Sequence, residues 1–519
     1  MAFAILFLQW IAVRAAAPTY SNPVIAGDYP DPSVIRVNND YWATATTSEW
    51  APLFPILHST DLVNWKPVGS VFHKRPGWAV GNFWAPEISE FRGKFFVYYV
   101  GRQRNGPLAV AVATADQPQG PWTDHGPMIA QEAGSIDPVT AVDESGRRFL
   151  IWKEDGNSRD RPTPIWAQEL SADGTKLVGE MKELMRNDQP WEGNLVEGPF
   201  VQRRGDFFYM FYSGNACCGR GCNYGLGVAR ARSLMGPWEK YSRNPILIGN
   251  ERFKCPGHGS VVTDPKGRDF LMYHSYDARN FVYVGRQALL DEIEWQADGW
   301  PHINSGRGPS SSRPAPLGQA GRNTERSFDD DFSAPKLDPN LQWPQGNEPV
   351  VQLLAENRGT LLLSPRPERA GDWLGAVLGL KTTSGDYEAS TALDVRSLGP
   401  GTHAGISAYG DSENALGVSV SNGKVSLWKV QKKQRQSVTE IDAPTGSRLF
   451  FRLTASQGHR FRCAISADGL AWKDVGRDLD LEGDFLPPWD RGVRVALVCG
   501  GPAGSGAKFE FLRLNPSSE

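Results

Sequence analysis

Long apolar runs are almost missing from this sequence of 519 residues. The exception is the N-terminus, where Met1-Ala-Phe-Ala-Ile-Leu-Phe-Leu-Gln-Trp-Ile-Ala-Val13 is followed by Arg14 and the small residues Ala15, Ala16 and Ala17. That stretch is too short to span a bilayer well and reads as a signal peptide over residues 1–17, cut near Ala16 or Ala17. The expected location is secreted or periplasmic, with no membrane partner after cleavage. A positive charge excess is missing too. The 55 Lys and Arg against 58 Asp and Glu leave a formal −3, which argues against a nucleic-acid partner. Amphipathic patterns of helical period are scarce, which favours short strands joined by turns. Cysteine is sparse: Cys217, Cys218, Cys222, Cys255, Cys463 and Cys499. None stands in paired C-x-x-C spacing beside histidine, so no zinc centre is expected. An even count in an oxidising compartment points to disulfides. The Cys217–Cys222 loop is expected to be stapled, with Cys255 a further candidate. Cys463 and Cys499, in apolar strand-like runs, either pair or are buried thiols.

Glycine (55), proline (38) and tryptophan (18) are plentiful. The length asks for at least two domains. Trp richness suits sugar recognition, since aromatic faces pack on C–H faces, although propellers and sandwiches also use Trp as core. Internal repetition is the most informative feature. Strongly β-prone segments recur every 54–63 residues, at Tyr41, Phe95, Phe149, Phe207 and Phe270. About ten residues ahead of each lies a second segment: Asp31-Pro-Ser-Val-Ile, Ala85-Pro-Glu-Ile, Asp137-Pro-Val-Thr-Ala, Glu197-Gly-Pro-Phe-Val and Gly257-His-Gly-Ser-Val. Turns ending on Trp65, Trp122 and Trp238 follow three of the repeats and can plug between sheets.

Five units, each long enough for about four strands, predict a five-bladed β-propeller over residues 20–304. The first strand of each blade lines the channel. Asp31, the Trp84–Glu87 stretch, Asp137, Glu197 and His258 are therefore expected to meet at one end of the axis. Residues 305–326, rich in Gly, Ser, Pro and Arg, read as a linker. Residues 327–519 alternate strands and turns and read as a β-sandwich of jelly-roll type. The fold class is all-β. Glycosidic cleavage needs one carboxylic acid to protonate the leaving oxygen and one carboxylate to activate water or attack. A single Asp-Pro is an ordinary turn starter. Three carboxylates at matching points of three repeats are a stronger signal.

Residues 22–302 resemble glycoside hydrolase family 43. The resemblance rests on Asn22-Pro-Val-Ile, Tyr29-Pro-Asp-Pro-Ser-Val34, Trp84-Ala-Pro-Glu87, Ser135-Ile-Asp-Pro138, Val196-Glu-Gly-Pro199, Gly257-His-Gly259, Gly285-Arg286-Gln and Trp295-Gln-Ala-Asp-Gly-Trp-Pro301, in matching order and spacing. It implies an inverting glycosidase with Asp31 as general base, Asp137 tuning the acid and positioning substrate, and Glu197 as general acid. Asp31 should stay ionised, whereas Asp137, a like charge, should raise the pKa of Glu197. Arg286 resembles the family's substrate-contacting Arg; its other reading is a partner for a core carboxylate. Trp84 is a candidate sugar-stacking wall or a blade-packing residue. His258 is the candidate metal residue, either beside a structural calcium near the axis or simply hydrogen-bonded; no cofactor is required for the chemistry. Glu87 stays outside the catalytic set.

The C-terminal region resembles the concanavalin-like sandwich of some family members, opening at Phe328-Asp-Asp-Asp-Phe-Ser. It binds glycan, shapes the site's rim or buttresses the propeller. The leading expectation is exo-acting release of α-L-arabinofuranosyl or β-D-xylosyl units from plant cell-wall oligo- or polysaccharides. The alternatives are an endo-arabinanase and a non-catalytic glycan-binding propeller. A retaining fructan-hydrolysing family shares the architecture but typically has Arg before the third-blade Asp, where this chain has Ile136.

Overall fold

The computed structural model describes residues 18–317, 327–354, 359–476 and 481–517. The expected signal peptide, residues 1–17, lies outside them. Five antiparallel four-stranded sheets form the propeller. Blade 1 runs Ser33–Val37, Asp40–Thr44, Leu53–Ser59, Lys66–Phe72, and blade 2 Ala79–Phe91, Lys94–Gln103, Leu108–Ala115, Thr123–Ile129. Blade 3 runs Ser135–Val142, Arg148–Glu154, Ile165–Leu170, Leu177–Met185, and blade 4 Val196–Arg204, Phe207–Gly214, Gly225–Ala231, Glu239–Lys240. Blade 5 is Phe253–Thr263, Asp269–Asp277, Gln287–Trp295, Pro301–Ile303. The five first strands touch in a closed ring, blade 5 meeting blade 1.

Layer position explains the sequence pattern. Second and third strands such as Phe207–Gly214 and Leu108–Ala115 are buried almost throughout, because blades cover both faces, and they read as continuous apolar runs. The outermost Leu177–Met185 is largely exposed and carries Glu and Lys. Trp65 is buried, its indole N–H donating to Leu62 O (2.9 Å) in the turn after blade 1's third strand.

The stretch read as a linker is not free over its first half. Ser312–Pro314 pairs with Thr19–Ser21, and the Asn22 side chain donates to Leu290 O and Ser310 O (2.9 and 3.0 Å). These bonds tie both ends of the propeller to blade 5. The reason is local: residues 308–310 are buried against the blade, so their backbone groups need partners. The remainder, 318–326, lies outside the described residues.

The C-terminal region is a sandwich of two antiparallel sheets. The edge strand of one comes from the propeller: Trp50–Ala51 pairs with Leu341–Pro344. Phe54, Phe72 and Tyr99 of the propeller share one apolar cluster with Leu378, Ile406 and Leu497 of the sandwich. The junction is therefore core rather than a hinge. It also holds a buried ion pair, Asp28 with Arg494 at 3.0 Å. Among the described residues no helix is long and apolar enough to cross a membrane.

Candidate active site

Every blade carries the same irregularity in or just before its first strand. Asp31, Ala85, Asp137 and His258 have left-handed backbone (φ 52°, 41°, 56° and 43°), and Gly198 takes that position in blade 4 (φ 56°). In blades 2 to 5 the ladder registers shift at these points, marking β-bulges. A bulge re-aims the side chain beside it, at a cost of about 1–2 kcal/mol for each non-glycine residue. Blade 4 needs glycine because a Cβ at Gly198 would lie 2.9 Å from the His258 ring. Its carboxylate is consequently displaced by one residue, to Glu197. The three acids are thus not at strictly matching points, which corrects the repeat alignment.

Asp31, Trp84, Asp137, Glu197, His258 and Arg286 all line one cavity of about 510 Å³. Glu87 does not: it lines a different cavity with Arg148, accepts from Ser33 (2.6 Å), and burial pushes its carboxyl up to about 8.

Asp31 receives the Thr46 hydroxyl on Oδ2 (2.6 Å) and Arg286 on Oδ1 (3.0 Å), while its backbone N–H donates to His274 Nδ1 (3.1 Å). Burial acts to raise its pKa. Arg286, then His258 and His274, outweigh that and hold it well below the usual carboxylate range. His274 itself, fully buried beside Arg286, is pushed down to about 4. Arg286 also donates to the backbone of Asp490 (3.2 Å), so the sandwich reaches the partner of Asp31. Arg286 follows Gly285 because a Cβ there would strike Asp28 at 2.2 Å.

Glu197 runs opposite to expectation. Burial pushes it up, but the Lys153 ammonium at 2.7 Å, with Tyr224 donating at 2.9 Å, brings it below its ordinary value. Lys153 is itself buried and bridges to Asp155 at 3.1 Å. Asp137 is the acid raised, to about 6, by burial and then by the Glu197 charge against the pull of His258. Its Oδ2 accepts the Gly198 N–H (2.9 Å), one residue from Glu197. Asp137 rather than Glu197 is thus the raised member of the pair, because the Lys153 ammonium offsets the like charge at Glu197.

His258 Nδ1 lies 3.4 Å from Asp31 Oδ1 and 4.0 Å from Asp137 Oδ2. Its ring faces two carboxylates. With Asp31 already engaged on both oxygens, these groups do not make the oxygen cage that calcium takes. Among the described residues, the donors close enough to share a metal are His459, Glu482 and Asp484, on the sandwich.

Sequence reasoning missed Lys153, Thr46, Tyr224 and His274, and it missed the sandwich's direct part in the wall. Trp489, 61% exposed, lines the cavity and meets Trp84 edge to face at 6.0 Å. Asp490 accepts the Ser48 hydroxyl (2.8 Å). The Cys217–Cys222 loop holds two disulfides, Cys217–Cys218 and Cys222–Cys255, while Cys463 and Cys499 are buried free thiols.

Both parts of the chain are similar to known proteins. The model of glycosyl hydrolases family 43 matches residues 20–301, and that of the beta xylosidase C-terminal concanavalin A-like domain matches residues 329–515. A xylosidase/arabinosidase 43B of Humicola insolens is 28% identical over 501 residues, covering 89% of this chain and 90% of that protein. A xylan 1,3-beta-xylosidase of a Vibrio species is 27% identical over 511 residues, covering 89% and 91%. The crystal structure of a family-43 protein, BlXynB of Bacillus licheniformis, superposes with TM-score 0.82 at 25% identity, over 96% of this chain and 100% of that one.

Proposed function

The chain belongs to glycosyl hydrolase family 43, and from that premise we propose that Asp31, Asp137 and Glu197 hydrolyse the terminal glycosidic bond of a plant cell-wall glycan with inversion. It is an exo-acting glycosidase of the β-xylosidase and α-L-arabinofuranosidase type. The observation that carries the assignment is the meeting of those three carboxylates in one cavity whose wall Trp489 helps to form. Asp31, held ionised, takes a proton from water; Glu197 delivers one to the leaving oxygen; Asp137 holds that proton's reserve. Arg286 fixes Asp31, and Trp84 offers a face to sugar. An extended endo-acting groove and a purely binding propeller are not favoured. Product identification on aryl pentosides and on xylo- and arabino-oligosaccharides tests the class. Proton NMR of the first-formed anomer tests the stereochemistry: inversion is expected, and a retained anomer overturns the role of Asp31 as base.

Asp137 and Glu197 act on each other through their charges, so the proton given to the leaving oxygen is assigned to the pair rather than to one member. Below about pH 6 the pair holds that proton; above, it is lost, following the value for Asp137. Activity on substrates that need leaving-group protonation is therefore expected to fall as pH rises through about 6. Lys153→Gln removes the charge that favours the ionised pair. Its descending limb should move to higher pH, and an unmoved limb would detach Lys153 from the acid.

A calcium ion beside His258 has as support only the two carboxylates facing the ring. The chemistry assigned above runs on this chain's own groups. Exhaustive chelation is expected to leave kcat unchanged; a loss restored by calcium alone would place the ion in the site. Export is the corresponding proposal for location, supported by the apolar run at residues 2–13. An N-terminus near residue 17 in protein recovered outside the cytoplasm tests it.

A further inference from the structure

The loop between the second and third strands of blade 4 has no part in the carboxylate chemistry, yet Ala216, Cys217 and Cys218 line the same cavity as Asp31 and Glu197. Cys217 and Cys218 are bonded to each other. A disulfide between sequence neighbours closes a small ring through their shared peptide, so both side chains and that peptide form one stiff body. The loop is also held from several sides. Ala216 and Asn223 bond to each other, Ala216 N–H to the Asn223 side chain and Asn223 N–H to Ala216 O (both 3.0 Å). Cys222 is bonded to Cys255, Gly219 N–H donates to Tyr276 (3.1 Å), and Arg220 donates to Tyr283 (2.9 Å) and to Asp484 O (3.1 Å). A Cβ on Gly219 would stand 3.3 Å from Trp489 O. The loop is wedged between Glu197's blade and the sandwich segment that carries Trp489.

We propose that the Cys217–Cys218 ring is the apolar platform of the leaving-group subsite, taking the C–H face of the sugar that departs. The inference rests on the glycosidase reading above and adds a subsite to it. Placement supports it. Glu197, the donor to the leaving oxygen, pairs with Ser213, and that strand ends at Gly214, where this loop begins. Asp31, which faces the attacking water, sits on blade 1, which is not adjacent to blade 4 in the ring. The group beyond the leaving oxygen therefore meets this loop. Chemistry supports it as well: the ring's side chains carry polarizable sulfur and methylene and no N–H or O–H donor, which suits C–H contact rather than hydrogen bonding.

The test compares a pentosyl disaccharide with the matching pentosyl fluoride, whose departing fluoride does not fill the subsite. In the double variant Cys217→Ser/Cys218→Ser, kcat/KM on the disaccharide is expected to fall about tenfold with the fluoride unchanged. Equal losses on both substrates, or no loss on either, overturn the platform. Should the variant fail to fold, dithiothreitol on the intact protein gives a second measurement. It passes two hydrogens to Cys217 and Cys218 and is itself oxidised to its cyclic disulfide. The same disaccharide-selective, reoxidation-reversible loss is expected in wild type and in Cys222→Ser/Cys255→Ser, which retains only the neighbouring pair. Freed thiols by mass with unchanged rates would overturn the proposal. Wild-type protein inert toward both substrates would instead fail the glycosidase reading, and the subsite with it.

Discussion

Asp31→Asn is expected to lower kcat by about 10³-fold on every glycoside offered, natural or activated, while Glu197→Gln separates the substrates. The reason lies in the roles proposed for the two groups. Water attack is common to all substrates, so losing the base spares none. Protonation of the leaving oxygen matters only where that oxygen is a poor leaving group. Glu197→Gln should therefore cost about 10³-fold on an oligosaccharide and less than about tenfold on a dinitrophenyl glycoside. Asp31→Asn also leaves Arg286, His258 and His274 facing an uncharged amide. Circular dichroism and a thermal scan on each variant separate lost chemistry from lost fold. Equal losses by both variants on both substrates would reject the division of roles.

The second large effect is on stability. Asp28→Ala is expected to destabilise the protein by about 3–5 kcal/mol, the cost typical of stranding one partner of a buried pair. Asp28 and Arg494 are each 2% exposed. Asp28 Oδ2 accepts Arg494 at 3.0 Å and Gly492 N–H at 3.1 Å, and Oδ1 accepts Arg286 N–H at 3.3 Å. One side chain thus serves the propeller, the sandwich and the backbone of the arginine that holds Asp31. The double variant Asp28→Asn/Arg494→Met should lose less than Asp28→Ala alone, because no buried charge is left over. Urea unfolding followed by Trp fluorescence measures both. A single-variant loss below about 1 kcal/mol would show that the pair does not hold the junction.

The fold was legible because a propeller writes its period into the chain. Phe95, Phe149 and Phe207 open apolar second strands, and the Asp-Pro and Gly-Pro steps ahead of them mark the inner bulges. The carboxylates were legible for the same reason: each opens a channel strand. What stayed hidden depends on packing between units. Lys153 ends the apolar run Phe149-Leu-Ile-Trp152, where a lysine reads as a strand leaving the core. Only the adjoining blade brings Glu197 to it and inverts the expected direction of the pKa shifts. Trp489 and Asp490 lie about 350 residues beyond Asp137 and about 290 beyond Glu197, and no repeat points to them. The pairing of Cys217 with its own neighbour was likewise beyond a count of cysteines, which gives parity and not partners.

The wall contributed by Trp489 and Asp490 carries a consequence for how this enzyme comes into being. Domains fold as units, the N-terminal one first during synthesis. Residues 20–301 emerge far ahead of position 489, so the propeller can close its ring of first strands with all three carboxylates in place while the sandwich is still being translated. At that stage Arg286 lacks the Asp490 carbonyl, and the Trp50–Ala51 edge is unpaired. A nascent chain stalled before residue 489 thus holds the residues that gather the acids, with Trp489 and Asp490 still missing from the pocket wall.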